Sequence, residues 1–344
     1  MSFETRKIQV TGGSTYIVSL PKPWVEKWRL KPKSLVYLYE KPDGSLVLIP
    51  SSVRETEAKP LEAVVKVFDS VTMTMRAVIA CYVSGYDLIT VVSRGDYIPL
   101  EHRKCIKDIV KKRLAGTEIV DEESRRMTLQ VLLRHEDFPI TRAVNRMVSI
   151  ALSMHKDVVA AASTRSREVL NEVITRDDDV DRLYFLSMRQ LTAAVQNLQV
   201  LKEIGLSGPR DCLEYRMISR HIERVADHAV IMARSFLEVL DNLTDEIIGM
   251  LSAMSEKARS SLKLAFEALS RRDLEKARDA LDMRDEVLGQ EMTAIERLLS
   301  AGLSSHAIAE LRLVIESIRR VAEYGAGIAE IGINLATTHG ESTT

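Results

Sequence analysis

The chain has 344 residues, with 46% hydrophobic, 28% charged and 5% aromatic side chains, a balance that suits two or three packed, helix-rich domains. The opening MSFETRKIQV carries charges at once, and no run of about 18 uncharged apolar residues follows anywhere, which argues against export and against membrane insertion. Three distant cysteines, Cys81, Cys105 and Cys212, support neither a disulfide framework nor a paired-cysteine zinc site, so a reducing, cytoplasmic setting is expected. The net charge of −1 hides a polarity: residues 1–50 hold 8 basic and 4 acidic side chains, and the chain beyond 135 is acidic. A basic head on an acidic body is expected where one part meets a polyanion.

From Ile8 to Pro50 the pattern is that of strands: IQV, the turn Gly12-Gly13, TYIVSL, then LVYLY and LVLIP around Asp43-Gly44. A short helix from Pro23 to Arg29 is expected between them, because proline suits a first turn and Trp24, Val25 and Trp28 share a face. Fifty residues of hairpins bury too little apolar surface to stand alone, which predicts interleaving of two copies in a homodimer. SSVRETEAKP (51–60) reads as a linker. After it, LEAVVKVFDSVTMTMRAVIACYVSG is expected to be helical, LITVVS a buried strand, HRKCIKDIVKKRLAG a helix closed near Gly116, and EIVDEESRRMTLQVLL two short strands.

From 137 to 336 apolar residues recur at three and four, as in ITRAVNRMVSIALSMHKDVVAAA and DVDRLYFLSMRQLTAAVQNLQVLKEI. Breaks near Gly205–Pro209 and Asp241–Asp245 divide this stretch into two sets of three helices. The sets repeat: HIERVADHAVIMAR (221–234) aligns with SIRRVAEYGAGIAE (317–330), and RDDDV (176–180) more weakly with RDEV (284–287). The domains expected are therefore 1–52, 61–135, 137–240 and 244–336.

Two constellations can carry chemistry. Glu223 and Asp227, like Asp177 and Asp181, stand four apart, so each pair shares a helix face. Like charges there repel unless a cation lies between them, and two pairs on adjacent helices make an oxygen-rich site. The competing reading of Asp177–Asp181 is a solvated acidic helix start, favoured by the macrodipole. His221 and His228 flank the second pair at other angles and are expected to pack. No catalytic triad, phosphate-cradling glycine loop or HExxH motif occurs, so an enzyme is disfavoured. The second constellation is the basic set Arg6, Lys7, Lys22, Lys27, Arg29, Lys31 and Lys33, which a two-fold dimer would double into a patch fit for DNA phosphates.

Residues 5–50, from TRKIQVTGGSTYIVSL through PKPWVEKW to the closing LVYLYEKPDGSLVLIP, resemble the AbrB-like swapped-hairpin DNA-binding domain. The resemblance implies an interlocked dimer, with Arg6, Lys7 and Ser14 facing DNA. Where better-known members carry an Arg-Arg pair this chain has Val25-Glu26, and Lys22 and Lys27 can substitute. Residues 137–336 resemble the PhoU family of phosphate-uptake regulators, on IERVADHA (222–229) and on 178–183. That resemblance implies two three-helix bundles and an iron or zinc site built from Asp177, Asp178, Asp181, Glu223 and Asp227. In the second repeat Arg319 stands in place of Glu223, Glu323 in place of Asp227 and Leu288 in place of Asp181; Arg319 is expected to pair with Glu323 and this half to hold no metal.

The expected whole is multidomain: a small β swapped-hairpin domain, a small α+β middle unit, then all-α tandem three-helix bundles. Its expected function is DNA-binding regulation of phosphate uptake. The rival is a signalling adaptor that docks on a phosphate transporter or sensor kinase without binding DNA; a metal-dependent hydrolase is the third reading and lacks a nucleophile and a base.

Overall fold

A computed structural model describes residues 4–40, 44–51 and 60–340. The chain divides into two compact units, 1–60 and 61–344. In the first, β1 (Gln9–Thr11) pairs antiparallel with β2 (Thr15–Ile17), and β3 (Val36–Glu40) with β4 (Leu46–Pro50), joining Val36 to Pro50 and Glu40 to Leu46. Gly12 and Gly13 both take positive φ in the first turn, which a tight hairpin turn demands. The short helix α1 spans Lys22–Lys27, one residue earlier than proline placement suggests, and closes at Trp28, whose N–H donates to Trp24 O. Arg29, with φ +50, lies beyond the cap and not in the helix. Asp43 of the second turn and linker residues 52–59 lie outside the described residues.

The first unit has no core of its own. Among its described residues only Pro50 is buried, whereas Tyr16, Leu35 and Leu38 are 74%, 70% and 67% exposed. Large apolar side chains left open on this scale mark a surface that something else covers.

The second unit starts with an α+β layer: β5 (Glu62–Lys66), α2 (Val71–Val83), β6 (Leu88–Val92), α3 (Leu100–Lys112), β7 (Thr117–Glu122) and β8 (Arg126–Val131). Strand order is β5-β6-β8-β7, with β5 parallel to β6 and the other neighbours antiparallel. The stretch 61–85 is thus not one helix. Val65 and Val67 point into the core while Val64 is exposed, a period of two that wins because β6 supplies a parallel partner. Helix α2 begins only after Ser70, whose Oγ accepts the Met73 N–H at 3.4 Å. Val65, Ile89, Val91, Met127 and Leu129 of the strands pack with Val78, Tyr82, Ile106 and Ile109 of α2 and α3.

The remainder is helical: α4 (Ile140–Thr164), α5 (Arg167–Gln196), the short α6 (Leu198–Glu203), α7 (Pro209–Val239), α8 (Asp245–Arg271), α9 (Leu274–Ser300) and α10 (Ser305–Gly340). The long helices form two sets of three, α4-α5-α7 and α8-α9-α10. The stretch through 196–203, regular in its apolar spacing, is interrupted at Asn197, whose side chain accepts the Gln199 N–H at 2.9 Å and caps α6. Both sets share one continuous apolar core, because α10 packs on α7 and α8 on α4. At Gly325 of α10 an added Cβ would stand 3.0 Å from Leu262 Cα of α8, so the missing side chain is what lets these helices approach.

The α+β layer is fastened to the first set through Arg189 of α5. This buried guanidinium donates to Tyr82 O at 2.9 Å, Tyr86 O at 2.7 Å and Asp87 Oδ1 at 2.6 Å. After α3 the chain turns at Gly116, φ +66, where a Cβ would lie 2.3 Å from Leu133 Cβ. Gly302 has the same φ of +66 and open space around it. Gly302→Ala should therefore cost about 1–2 kcal/mol for the left-handed backbone alone, and Gly116→Ala a further 1–3 kcal/mol or so for the overlap, as urea unfolding of the two variants would measure.

Candidate functional site

The acidic residues singled out by spacing come from two packed helices. Asp177, Asp178 and Asp181 lie in the middle of α5, and Glu223 and Asp227 in the middle of α7. Asp181 and Glu223 are buried. Asp177 Oδ1 and Glu223 Oε2 are also buried and meet no hydrogen-bond donor, an arrangement that costs free energy unless a cation or proton supplies the missing partner.

The electrostatics say the same. Burial first, and then the carboxylates of Asp181 and Asp227, push Asp177 up to about 7. Burial and Asp227 push Glu223 up to about 7, against the pull of Arg220 and Arg224. Burial also raises Asp181, where Arg113 opposes the shift and Asp227 and Asp178 reinforce it. The four residues Asp177, Asp181, Glu223 and Asp227 therefore sit in one field across the α5–α7 contact. Asp178 stands to its side and faces α3.

Arginines provide the countercharge. Arg220 Nη1 donates to Glu223 Oε1 at 2.8 Å and Arg224 Nη1 to Asp227 Oδ2 at 2.9 Å, both from three residues back on α7. Arg113 Nη1 approaches Asp181 Oδ2 at 3.3 Å, and Lys112 Nζ approaches Asp178 Oδ2 at 3.6 Å. In-helix partners such as Arg220 and Arg224 can be read from spacing. Lys112 and Arg113 cannot, because they come from the α+β layer some 65 residues earlier in the chain.

The donor set suits a hard cation in kind, since all four coupled groups are carboxylates and two of their buried oxygens lack partners. As the side chains stand, no three His, Cys, Asp or Glu residues converge on one metal-sized point among the described residues; the guanidinium groups occupy the intervening charge balance. His221 and His228 are not turned to the carboxylates. Both rings pack on Tyr324 of α10, at 5.6 and 5.8 Å between centroids, and His228 Nδ1 is 3.1 Å from Ser317 Oγ. In the second repeat Arg319 pairs with Glu323 and lies 3.2 Å from Glu291, and Leu288 stands where Asp181 does.

The basic N-terminal residues are exposed. Arg6 is paired with Glu4, Lys22 Nζ lies 3.7 Å from Glu26, and Lys27 Nζ sits 5.4 Å from the centre of the Trp28 ring. Lys7, Lys31 and Lys33 enter no ion pair among the described residues, and Ser14 is exposed at the end of the β1–β2 turn. No helix among the described residues is long and apolar enough to cross a membrane.

A carboxyl group whose value is raised on folding binds its proton more tightly in the fold than in the unfolded chain, so its contribution is lost as pH rises from about 4 towards 7. In metal-free protein Asp177→Asn and Glu223→Gln should each raise the melting temperature at pH 8 and change it little at pH 5. Each should flatten the stability slope by less than the about 1.4 kcal/mol per pH unit of one full proton, as thermal melts across that range would show.

Residues 144–236 and 251–332 match the family model described as the PhoU domain, and these two copies together span half of the chain. Residues 9–56 match the model described as antidote-toxin recognition MazE, bacterial antitoxin. The chain is similar to the structure of the phosphate transport system regulatory protein PhoU from Streptococcus pneumoniae, at 19% identity and a TM-score of 0.50, over 58% of this chain and 94% of that one. It is also similar to PhoU from Pseudomonas aeruginosa, at 15% identity and a TM-score of 0.49, over 58% and 96%. Comparison with curated protein sequences returns no match. The pneumococcal likeness speaks for the fold of the helical region; the α+β layer, 61–135, lies outside every matched segment. With two PhoU repeats behind a MazE/AbrB-like N-terminal segment, the chain belongs to the PhoU family.

Proposed function

We propose that the protein regulates phosphate uptake at the level of transcription, with the PhoU repeats as sensor and the N-terminal hairpins as the DNA-binding part. The observation that carries the reading is the coreless first unit, whose apolar strands and exposed lysines are open together. A second copy of the chain covers the apolar side by interleaving its own hairpins and doubles the basic side. Arg6, Lys7, Ser14, Lys22 and Lys27 then meet DNA phosphates, and a shift of the helical region alters the spacing of the two half-site readers.

The carboxylate cluster is the sensing site in this reading. Asp177, Asp181, Glu223 and Asp227, with Asp178 at the rim, would hold iron or zinc, which would supply a partner for the buried oxygens that meet no hydrogen-bond donor. An all-carboxylate set suits iron better than zinc. The adaptor reading, in which the helices dock on a phosphate-transporter or sensor-kinase component and the hairpins only join two chains, gains from the Arg6–Glu4 and Lys22–Glu26 pairs, which withdraw basic charge from a DNA face.

Titration of the full-length protein against fluorescent DNA from the control region of phosphate-transport genes of the same cell decides between them. The regulator should bind with an affinity that falls steeply with salt, by a slope of about 0.9 per phosphate contact, and the Arg6→Ala/Lys7→Ala double variant should bind weakly with a shallower slope. Absence of binding at low salt sinks the regulator and favours the adaptor. For the cluster, metal-reconstituted Glu223→Ala/Asp227→Ala should lose bound metal by elemental analysis, and full retention would remove the metal from the proposal.

A further inference from the structure

The carboxylate cluster is touched from two sides. On one side are Arg220 and Arg224 of α7 itself. On the other is the end of α3, part of the α+β layer that no PhoU repeat includes. Arg113 Nη1 lies 3.3 Å from Asp181 Oδ2 and its Nε 3.6 Å from Asp178 Oδ1, while Lys112 Nζ lies 3.6 Å from Asp178 Oδ2. The local fold fixes this placement. Leu114 is fully buried, Gly116 turns the chain into β7, and Arg182 of α5 donates to Lys111 O at 3.3 Å at the open end of the helix. A guanidinium from a neighbouring layer is thus held where an added cation would find its charge balance.

The two ends of the contact between the layer and α5 are unequal. Arg189 is buried and makes three hydrogen bonds of 2.6 to 2.9 Å to the layer, so parting it would strand a buried charge, which is strongly destabilising. Arg113 keeps a third of its side chain exposed and its contacts are 3.3 and 3.6 Å long, the class of ion pair that holds weakly. One end is a fastening and the other can release.

We infer that Arg113 is a built-in competitor for the cation at Asp177, Asp181, Glu223 and Asp227, so that a loaded cluster and a docked α3 end are alternative states of the chain. Loading displaces Arg113 and Lys112 from Asp181 and Asp178, and the α+β layer loosens at residues 100–113 while Arg189 keeps it attached. The coupling is reciprocal: the factor by which docked Arg113 weakens cation binding is the factor by which the cation weakens docking. The inference rests on the reading of the cluster as a cation site, and it gives the layer a role as the moving part that reports on the cluster.

The test uses full-length wild type, Arg113→Gln and Arg224→Gln, titrated with Mn2+ and with Zn2+ by calorimetry, with hydrogen exchange of residues 100–113 followed before and after metal. Arg113→Gln should bind several-fold tighter, as expected when a weakly held competing state is removed. Exchange over 100–113 should speed up on metal addition in wild type, and be fast already in metal-free Arg113→Gln. Arg224→Gln, which removes a cation from α7 alone, should tighten binding and leave metal-free exchange of 100–113 at the wild-type rate. Equal metal affinity in wild type and Arg113→Gln overturns the competitor and leaves the cation site standing; metal bound by none of the three overturns the site and the competitor together.

Discussion

Arg189 is a charge that the fold cannot leave alone. Set into the core-facing side of α5, it takes one backbone carbonyl from the last turn of α2 and a second carbonyl and a carboxylate from the turn that follows. Everything in the α+β layer is positioned from that point: the end of α2, the start of β6 at Asp87 and, across the sheet, the turn at Gly116 that aims α3 at the acidic stretch of the same α5. Tyr82 links the two ends directly, since its backbone oxygen accepts from Arg189 and its hydroxyl donates to Ala115 O at 3.0 Å. A buried guanidinium satisfied by backbone oxygens fixes a single register, and here that register brings a basic helix end to an acidic helix middle.

The division into hairpins, mixed layer and paired helical sets was legible because each rests on a periodicity, two for strands and between three and four for helices. The failures come where the period is ambiguous or where a side chain competes with the backbone. LEAVVK satisfies both periods, and only the parallel partner β6 makes it a strand. At Asn197 the apolar spacing continues unbroken, yet the amide caps a new helix. The carboxylates of the candidate site were readable, since pairs four apart declare a shared face and the repeat placed those faces on neighbouring helices. The arginine that reaches them from α3 was not, because nothing local distinguishes Arg113 from the other basic residues of HRKCIKDIVKKR. The histidines were legible in the same way as the acids: His221 and His228 lie at other angles around the helix than the carboxylates, and both rings pack on Tyr324.

The two repeats are alike in backbone and opposed in chemistry. In the first, helix α7 brings acids to acids and leaves two buried oxygens without donors. In the second, the equivalent segment of α10 brings Arg319 between Glu291 and Glu323 and sets Arg320 3.0 Å from Glu323, so two acids there meet two arginines. Helices α7 and α10 pack on each other inside one core, so the two chemistries lie on adjoining helices.

The hairpin unit carries a different consequence. A module whose described residues bury only one proline has little apolar core to hold it, so in a dimer its order would be a matter of supply as much as of sequence. The described residues from 61 onward carry two apolar cores of their own, one in the α+β layer and one shared by the helical sets. In the proposed dimer the first unit would gain order as copies accumulate, which would make the abundance of the chain an input in its own right: at few copies the helical region would stand without ordered hairpins, and only above a threshold would the two parts of the molecule act as one.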